Sequence, residues 1–168
     1  MMAVEIEYKK GDATCPSVKG TKLLAHVVND SGKWGKGYVM ALSKRWPETR
    51  QAYLDWYKSR KQFKLGSVAF QLINALPVQH VVTHMIAQRG VIGKSNQVPL
   101  RYDALEKCLK EVAAWVDKYS TLPHWLQPFS VHMPKIGTGL GGGKWEKIEP
   151  IIRAQLCDNG IPVTVYEL

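Results

Sequence analysis

Five glycines fall within seven residues of the stretch Pro134-Lys135-Ile136-Gly137-Thr138-Gly139-Leu140-Gly141-Gly142-Gly143-Lys144-Trp145. Glycine lets the backbone approach a ligand closely, so several N–H groups can point at one spot. An apolar run over residues 129–133 leads in, and an amphipathic run over residues 145–156 leads out. The order is strand, glycine loop, helix, and a helix start adds the positive end of a dipole. Such a combination cradles phosphate. Two known glycine signatures do not fit. Gly137, Gly139 and Gly142 satisfy G-x-G-x-x-G, but the dinucleotide fingerprint opens a βαβ unit and needs an acid about 20 residues further on. Here one more helix and strand follow, and the late strand acid is Glu167. A P-loop fails as well, because Trp145 follows Gly143-Lys144 where Ser or Thr is required.

A second glycine loop, Asn29-Asp30-Ser31-Gly32-Lys33-Trp34-Gly35-Lys36-Gly37, follows the apolar run Leu23-Leu24-Ala25-His26-Val27-Val28. Two such loops facing each other can hold a diphosphate between them. Gly11-Asp12-Ala13-Thr14 ends an earlier strand, and its carboxylate either contacts an adenine amine or stabilises its own turn. Asn29 is both donor and acceptor and suits sugar hydroxyls. Asp30 beside it either orients a water or caps a turn. These groups describe an ADP-ribose site. His26, His80, His84, His124 and His132 show no metal-ligand spacing with Cys or Asp, and no metal site is expected. His80 and His84 share one face of a strand, two residues apart along that face. Cys15 lacks an evident catalytic partner and reads as a turn thiol.

The elements that must position these groups follow from periodicity. Strands are expected over residues 4–8, 23–28, 66–73, 80–86, 129–133 and 163–168. Helices are expected over residues 38–46, with Tyr38, Ala41, Leu42 and Trp46 inward, and after Pro47, with Tyr53, Trp56 and Tyr57 as a core stripe. A third carries Leu105, Leu109, Val112, Ala113 and Val116 on one face, and a fourth spans residues 145–156. Residues 74–79 read as a turn, and residues 91–98 and 121–128 as loops. The class is α/β, a mixed sheet of about six strands between helices, in one domain over residues 1–168. Ligands bind beyond the carboxyl ends of strands in open α/β sheets. Both glycine loops, the Gly11-Asp12 turn and Gln88-Arg89 all follow strands and can share that rim.

The formal net charge is +9, which suits an anionic ligand. The basic residues are spread along the chain apart from residues 58–64, a solvated helix end, so nucleic acid is not an expected partner. No apolar run approaches a membrane span, and residues 1–10 carry no signal-peptide pattern. Three scattered cysteines suit reduced thiols in a cytoplasmic protein. No cofactor is expected, and the chain is expected to be a monomer.

With these motifs in this order, the sequence resembles the macrodomain family over nearly its whole length. The matching marks are Gly11-Asp12-Ala13-Thr14, Ala25-His26-Val27-Val28-Asn29, Gly35-Lys36-Gly37, Pro134-Lys135-Ile136-Gly137-Thr138-Gly139-Leu140 and Thr164-Val165-Tyr166-Glu167-Leu168. Trp34-Gly35-x-Gly37, Lys44-Arg45-Trp46-Pro47 and Gly143-Lys144-Trp145-Glu146 are similar to the branch of terminal ADP-ribose protein glycohydrolases and yeast-type ADP-ribose 1''-phosphate phosphatases.

The resemblance implies a three-layer α/β/α fold. It implies Asp12 and Ala13 at the adenine, and Ile136, Gly137, Thr138, Gly139, Leu140, Gly141 and Gly142 around the diphosphate. Asn29, Trp34, Gly35 and Gly37 then surround the distal ribose, and in a site that works by water activation Gln88 or Arg89 is expected to close over it. The human-type glycohydrolase uses a lysine after the middle strand and an aspartate in the last glycine loop. Ala87, with Gln88 beside it, and Gly141 stand there in this chain. A lysine-adduct mechanism is therefore not expected, and catalysis falls to Asn29, Gln88 and Asp30, the last as general base. The expected activity is removal of mono-ADP-ribose from acceptors, foremost Asp and Glu esters on proteins. The alternatives are an ADP-ribose 1''-phosphate phosphatase and a non-catalytic reader. ADP-ribose or an ADP-ribosylated protein is the expected partner.

Overall fold

The structure, a computed structural model, describes residues 2–73 and 79–167. Six strands form one sheet: β1 (Glu7–Lys10), β2 (Thr21–Asn29), β3 (Val68–Ile73), β4 (Gln79–Gln88), β5 (Phe129–Pro134) and β6 (Val163–Glu167), in the order β1-β6-β5-β2-β4-β3. β3 pairs antiparallel with β4, and the other pairs are parallel. Helices α1 (Tyr38–Arg45) and α2 (Glu48–Ser59) cover one face, and α3 (Tyr102–Tyr119) and α4 (Trp145–Gln155) the other. This is a mixed six-stranded sheet in a three-layer α/β/α arrangement.

The strand period of two divides β2 between two different environments. Leu23 and Ala25 face Leu105, Leu109, Ile148 and Ile152 of α3 and α4 in the larger core. Leu24 and Val28 face Leu42 of α1 and Tyr53 of α2 in smaller clusters. The α1/α2 side is also polar. Lys22 and His26 lie there beside His80 and His84 of β4, their register partners. His26 Nε2 is 2.8 Å from His84 Nδ1, and His84 Nε2 is 2.9 Å from Gln71 Oε1. Gln71 Nε2 donates to the Glu48 carbonyl, which turns Oε1 toward His84. His84 therefore donates from Nε2, and His26 donates to it.

Burial holds these imidazoles neutral: His84 to about 3, His80 and His132 to about 4, and His26 well below the usual histidine value. An unfolded histidine takes its proton at about pH 6.5, so the unfolded chain binds more protons from there down to the depressed folded values. The stability contributed by neutral burial is fully present above that window and is lost as pH falls through it. At about pH 5 the loss is on the order of 2 kcal/mol for each fully buried imidazole. Urea midpoints at neutral pH and near pH 5 check this, and a flat profile contradicts it.

Several expected boundaries move. The first strand is paired at Glu7–Lys10 rather than residues 4–8, because β1 is an edge strand and Val4 instead gives its N–H to the Cys157 carbonyl. In α1, Ala41 is exposed and Val39 is buried, so the inward stripe is rotated. β4 runs on to Gln88. Of the expected turn over residues 74–79, residues 74–78 lie outside the described residues and Gln79 already belongs to β4. Of the aromatic stripe on α2, Tyr53 is fully buried, while Trp56 and Tyr57 are half-buried around Phe63.

Candidate functional site

A cleft of about 700 Å3 opens beyond the carboxyl ends of β2, β4 and β5. Its first wall is the loop from Asn29 to α1. Asn29 Oδ1 accepts the N–H groups of Ser31 and Lys33, each at 3.1 Å, and the Ser31 hydroxyl at 3.0 Å. The Tyr53 hydroxyl lies 2.9 Å from the same oxygen and 2.7 Å from the Asn29 carbonyl, and accepts the Gly32 N–H. Asn29 Nδ2 donates to the Lys33 carbonyl at 2.8 Å. One Asn29 side chain thus shapes the loop and keeps one N–H unspent. Trp34 is fixed by its indole N–H on Ser43 Oγ at 2.6 Å and packs against His26 and Tyr53.

The second wall is the glycine loop after β5. Four of its N–H groups are spent internally: Thr138 on Lys135, Gly141 on Thr138, Gly142 on Gly139 and Gly143 on Gly137. The N–H groups of Gly139 and Leu140 find no acceptor among the described residues. Gly37, at φ 80°, starts α1 directly opposite. A Cβ there would lie 3.3 Å from Leu140 Cδ1, so the two glycine loops meet across the cleft.

The floor is shaped by an irregularity in pairing. Val28 pairs with Ile86 but Asn29 with Gln88, leaving Ala87 as the extra residue. Such a bulge re-aims the side chains around it. Ala87 is buried in the α3/α4 core, and Gln88 lines the cleft. Its Oε1 would lie 3.2 Å from a Cβ on Gly141. Lys33, Lys36 and Lys135 also line the cleft, with no Asp or Glu among the lining residues described. Three cations over unspent backbone N–H groups make a receptor for an anion.

A profile described as Macro domain matches residues 25–152. The chain belongs to this family. Among curated relatives, the chain is similar to Chromodomain-helicase-DNA-binding protein 1-like of Mus musculus, 29% identical over 98% of this chain but 18% of that protein. The macrodomain therefore spans about a fifth of that relative's length. It is 24% identical to the ADP-ribose 1''-phosphate phosphatase of Candida albicans, covering 88% of this chain and 92% of that one. It is also 24% identical to the human ADP-ribose glycohydrolase OARD1, covering 97% and 91%. Among solved structures, a Bacteroides thetaiotaomicron protein of unknown function is 46% identical with a TM-score of 0.86, covering 99% of each chain. A macrodomain protein from Streptomyces coelicolor is 43% identical with a TM-score of 0.79, covering 98% and 99%.

Within this macrodomain, Asn29, Trp34, Gly35, Gly37, Gln88, Ile136, Gly137, Thr138, Gly139, Leu140 and Gly141 come together as lining of the cleft. Asp12, Ala13, Asp30, Arg89 and Gly142 lie outside that lining. Asp12 Oδ1 accepts the Thr14 hydroxyl at 2.6 Å and its N–H at 2.8 Å, bonds that hold the carboxyl below its ordinary value. Its Oδ2 is 3.7 Å from Arg45. Ala13 is buried, and its carbonyl accepts the Tyr38 hydroxyl. Asp30 Oδ1 accepts the Gly90 N–H at 2.8 Å and ties the end of β2 to the loop after β4. That geometry is a clamp between strand ends, and it does not place a base over the cleft. Arg89 is exposed, with its N–H on the Pro99 carbonyl. Gly142 backs onto Gln97 and Val98.

The motif reading missed six lining residues of consequence. Lys33, Lys36 and Lys135 were inside the glycine loops and carried the charge signal. Tyr38 reads as a core residue from its helical spacing. Val91 and Ile92 open the loop over residues 91–98, and both are exposed at the cleft.

Proposed function

We propose that this macrodomain binds ADP-ribose in the cleft and hydrolyses its bond to an acceptor, foremost an Asp or Glu ester on a protein. The observation that carries the reading is the meeting of two glycine loops, at Gly37 and Leu140, over unspent backbone N–H groups. The diphosphate lies between those loops, and the distal ribose lies against Asn29, Trp34 and Gln88. Two relatives are named as an ADP-ribose 1''-phosphate phosphatase and an ADP-ribose glycohydrolase, which agrees with ADP-ribose as the recognised group. In the reaction a water adds to the anomeric carbon, the carbon–oxygen bond to the acceptor breaks, and the acceptor leaves as its carboxylate. The released proton passes to solvent. Fixing the sugar lowers the barrier by orientation, and Lys33 and Lys36 stabilise the departing charge. Gln88, facing Gly141, orients the water.

The lysines also favour a second reading, a phosphatase acting on ADP-ribose 1''-phosphate, with its distal phosphate where the acceptor carboxyl would be. The lack of a carboxylate among the described lining residues favours a non-catalytic reader. Incubation with defined linkages to Asp, Glu, Ser, Arg, a DNA base and 1''-phosphate separates the three. Turnover on the acidic esters supports the leading reading, turnover on 1''-phosphate the second, and binding without turnover the third. No described helix is long and apolar enough to cross a membrane, and the three cysteines are free thiols, which suits action in the cytoplasm.

Asp12 tests the adenine end. Asp12→Ala should weaken ADP-ribose by about 1–3 kcal/mol while leaving ribose 5-phosphate nearly unchanged, since one carboxylate–amine hydrogen bond is lost. Calorimetry with both ligands measures it. Equal losses make Asp12 a turn residue that acts through Thr14 and Arg45.

A further inference from the structure

A second cavity, about 260 Å3, lies beneath the loop over residues 14–18, between that loop and the end of α1. Lys22 and His80 line it near the amino ends of β2 and β4, whereas the first cleft opens at the carboxyl ends. Among the described residues, none lines both. We propose that this cavity is a separate anion site that takes a phosphate-class oxyanion between Lys22, Arg45 and His80.

Lys22 carries a charge with no carboxylate to balance it among the described residues. The residue is 2% exposed. Its ammonium donates to the carbonyls of Val18 at 2.6 Å and Gly20 at 3.3 Å. Two carbonyls leave one of three N–H groups unspent. Withdrawing an ammonium from water without a counter-ion is costly, and an anion in the cavity offsets that cost.

His80 adds a second independent sign. Its Nδ1 is buried and has no hydrogen-bond partner among the described residues. The ring is held against Trp46 at 5.0 Å between centroids, beside Lys22 in the register. A buried polar atom of this kind ordinarily has a partner. Arg45 completes the set. Its Nε–H is spent on Thr14 Oγ1, and one terminal nitrogen stands 3.7 Å from Asp12, which leaves further N–H groups for a ligand. The hydroxyls of Thr14 and Ser17 line the same space, with no Asp or Glu among the described lining residues. Two basic side chains and an unpartnered imidazole nitrogen, arriving from two strands and a helix end, suit the oxygens of a tetrahedral anion.

The test follows the His80 ring resonances by NMR in the full chain while inorganic phosphate is added at constant ionic strength. The Trp34 indole reports on the first cleft in the same spectra. Phosphate should shift His80 saturably and raise its titration midpoint, while chloride should not. Lys22→Met keeps the stem without the charge and should weaken phosphate about tenfold, as should Arg45→Gln, each removing one charge-assisted bond. The amide spectrum checks the fold of each variant, and either one alone suffices. A small phosphomonoester run in parallel distinguishes free phosphate from a phosphate borne on a larger molecule. If His80 follows phosphate only linearly, as it follows chloride, or shifts equally in a folded Lys22→Met or Arg45→Gln variant, the site does not exist.

Discussion

Gly139→Glu should abolish ADP-ribose binding and leave the fold standing. Gly139 sits at φ +56°, and a Cβ built there meets no atom within 4 Å. The new side chain therefore enters the cleft rather than the core. The left-handed backbone costs a non-glycine residue roughly 1–2 kcal/mol, which a folded domain tolerates. The effect on the ligand is larger. A carboxylate about 4 Å from a phosphate charge, at an effective dielectric near ~20, costs about 4 kcal/mol, roughly a thousandfold in affinity. Lys36 shares the lining and can pair with the new carboxylate, but a lysine so paired is withdrawn from the diphosphate. Gly139→Ala isolates the backbone strain and should lose far less. Calorimetry on both variants decides the point, and an unchanged affinity in a folded Gly139→Glu protein removes this loop from the site.

The glycine loops announce themselves because a run such as Gly137 to Gly143 has few other uses, and strand-end placement then puts both loops on one rim. Direction was harder to read. Gln88 faces the cleft and Ala87 the core because the β2/β4 register slips between Val28 and Asn29. No residue type marks that slip. Asn29 reads as a ribose ligand from its chemistry, yet most of its hydrogen-bonding capacity goes to Ser31, Lys33 and Tyr53. Asp30, one residue on, points to Gly90 for the same reason that strand neighbours face opposite ways. The polar α1/α2 side was half legible. His80 and His84 share a face by spacing alone, but their partners Lys22 and His26 depend on the pairing of strands more than fifty residues apart, roughly 58 in each case.

Asn29→Ala should cut turnover to about a hundredth or less, and Lys94→Ala should leave it nearly unchanged. Removing the Asn29 amide takes the acceptor from Ser31 and Lys33 and the donor from the Lys33 carbonyl. Net losses of about 1 kcal/mol per bond put the stability cost at a few kcal/mol. Turnover suffers more, because the loop carrying Trp34 and Gly37 loses its template, and a shift of roughly 1 Å in a positioning group costs about a hundredfold. Asn29→Asp keeps the acceptor and loses the donor, so it should fall between wild type and alanine. Lys94 is exposed in the turn between Gly93 and Asn96 and does not line the cleft. It cannot supply the amine of a covalent mechanism from there. Lys33, Lys36 and Lys135 do line the cleft, but all three are exposed, and Lys135 is paired with Glu167 at 3.1 Å. An amine becomes a nucleophile when it is desolvated or crowded by another cation, and solvent access at these positions opposes it. Hydrolysis should therefore proceed without an enzyme–sugar adduct, and borohydride added during turnover should trap none. A trapped adduct that disappears in Lys94→Ala would overturn the placement of that loop. One that disappears in Lys33→Ala, Lys36→Ala or Lys135→Ala would replace water activation with an amine from the cleft wall.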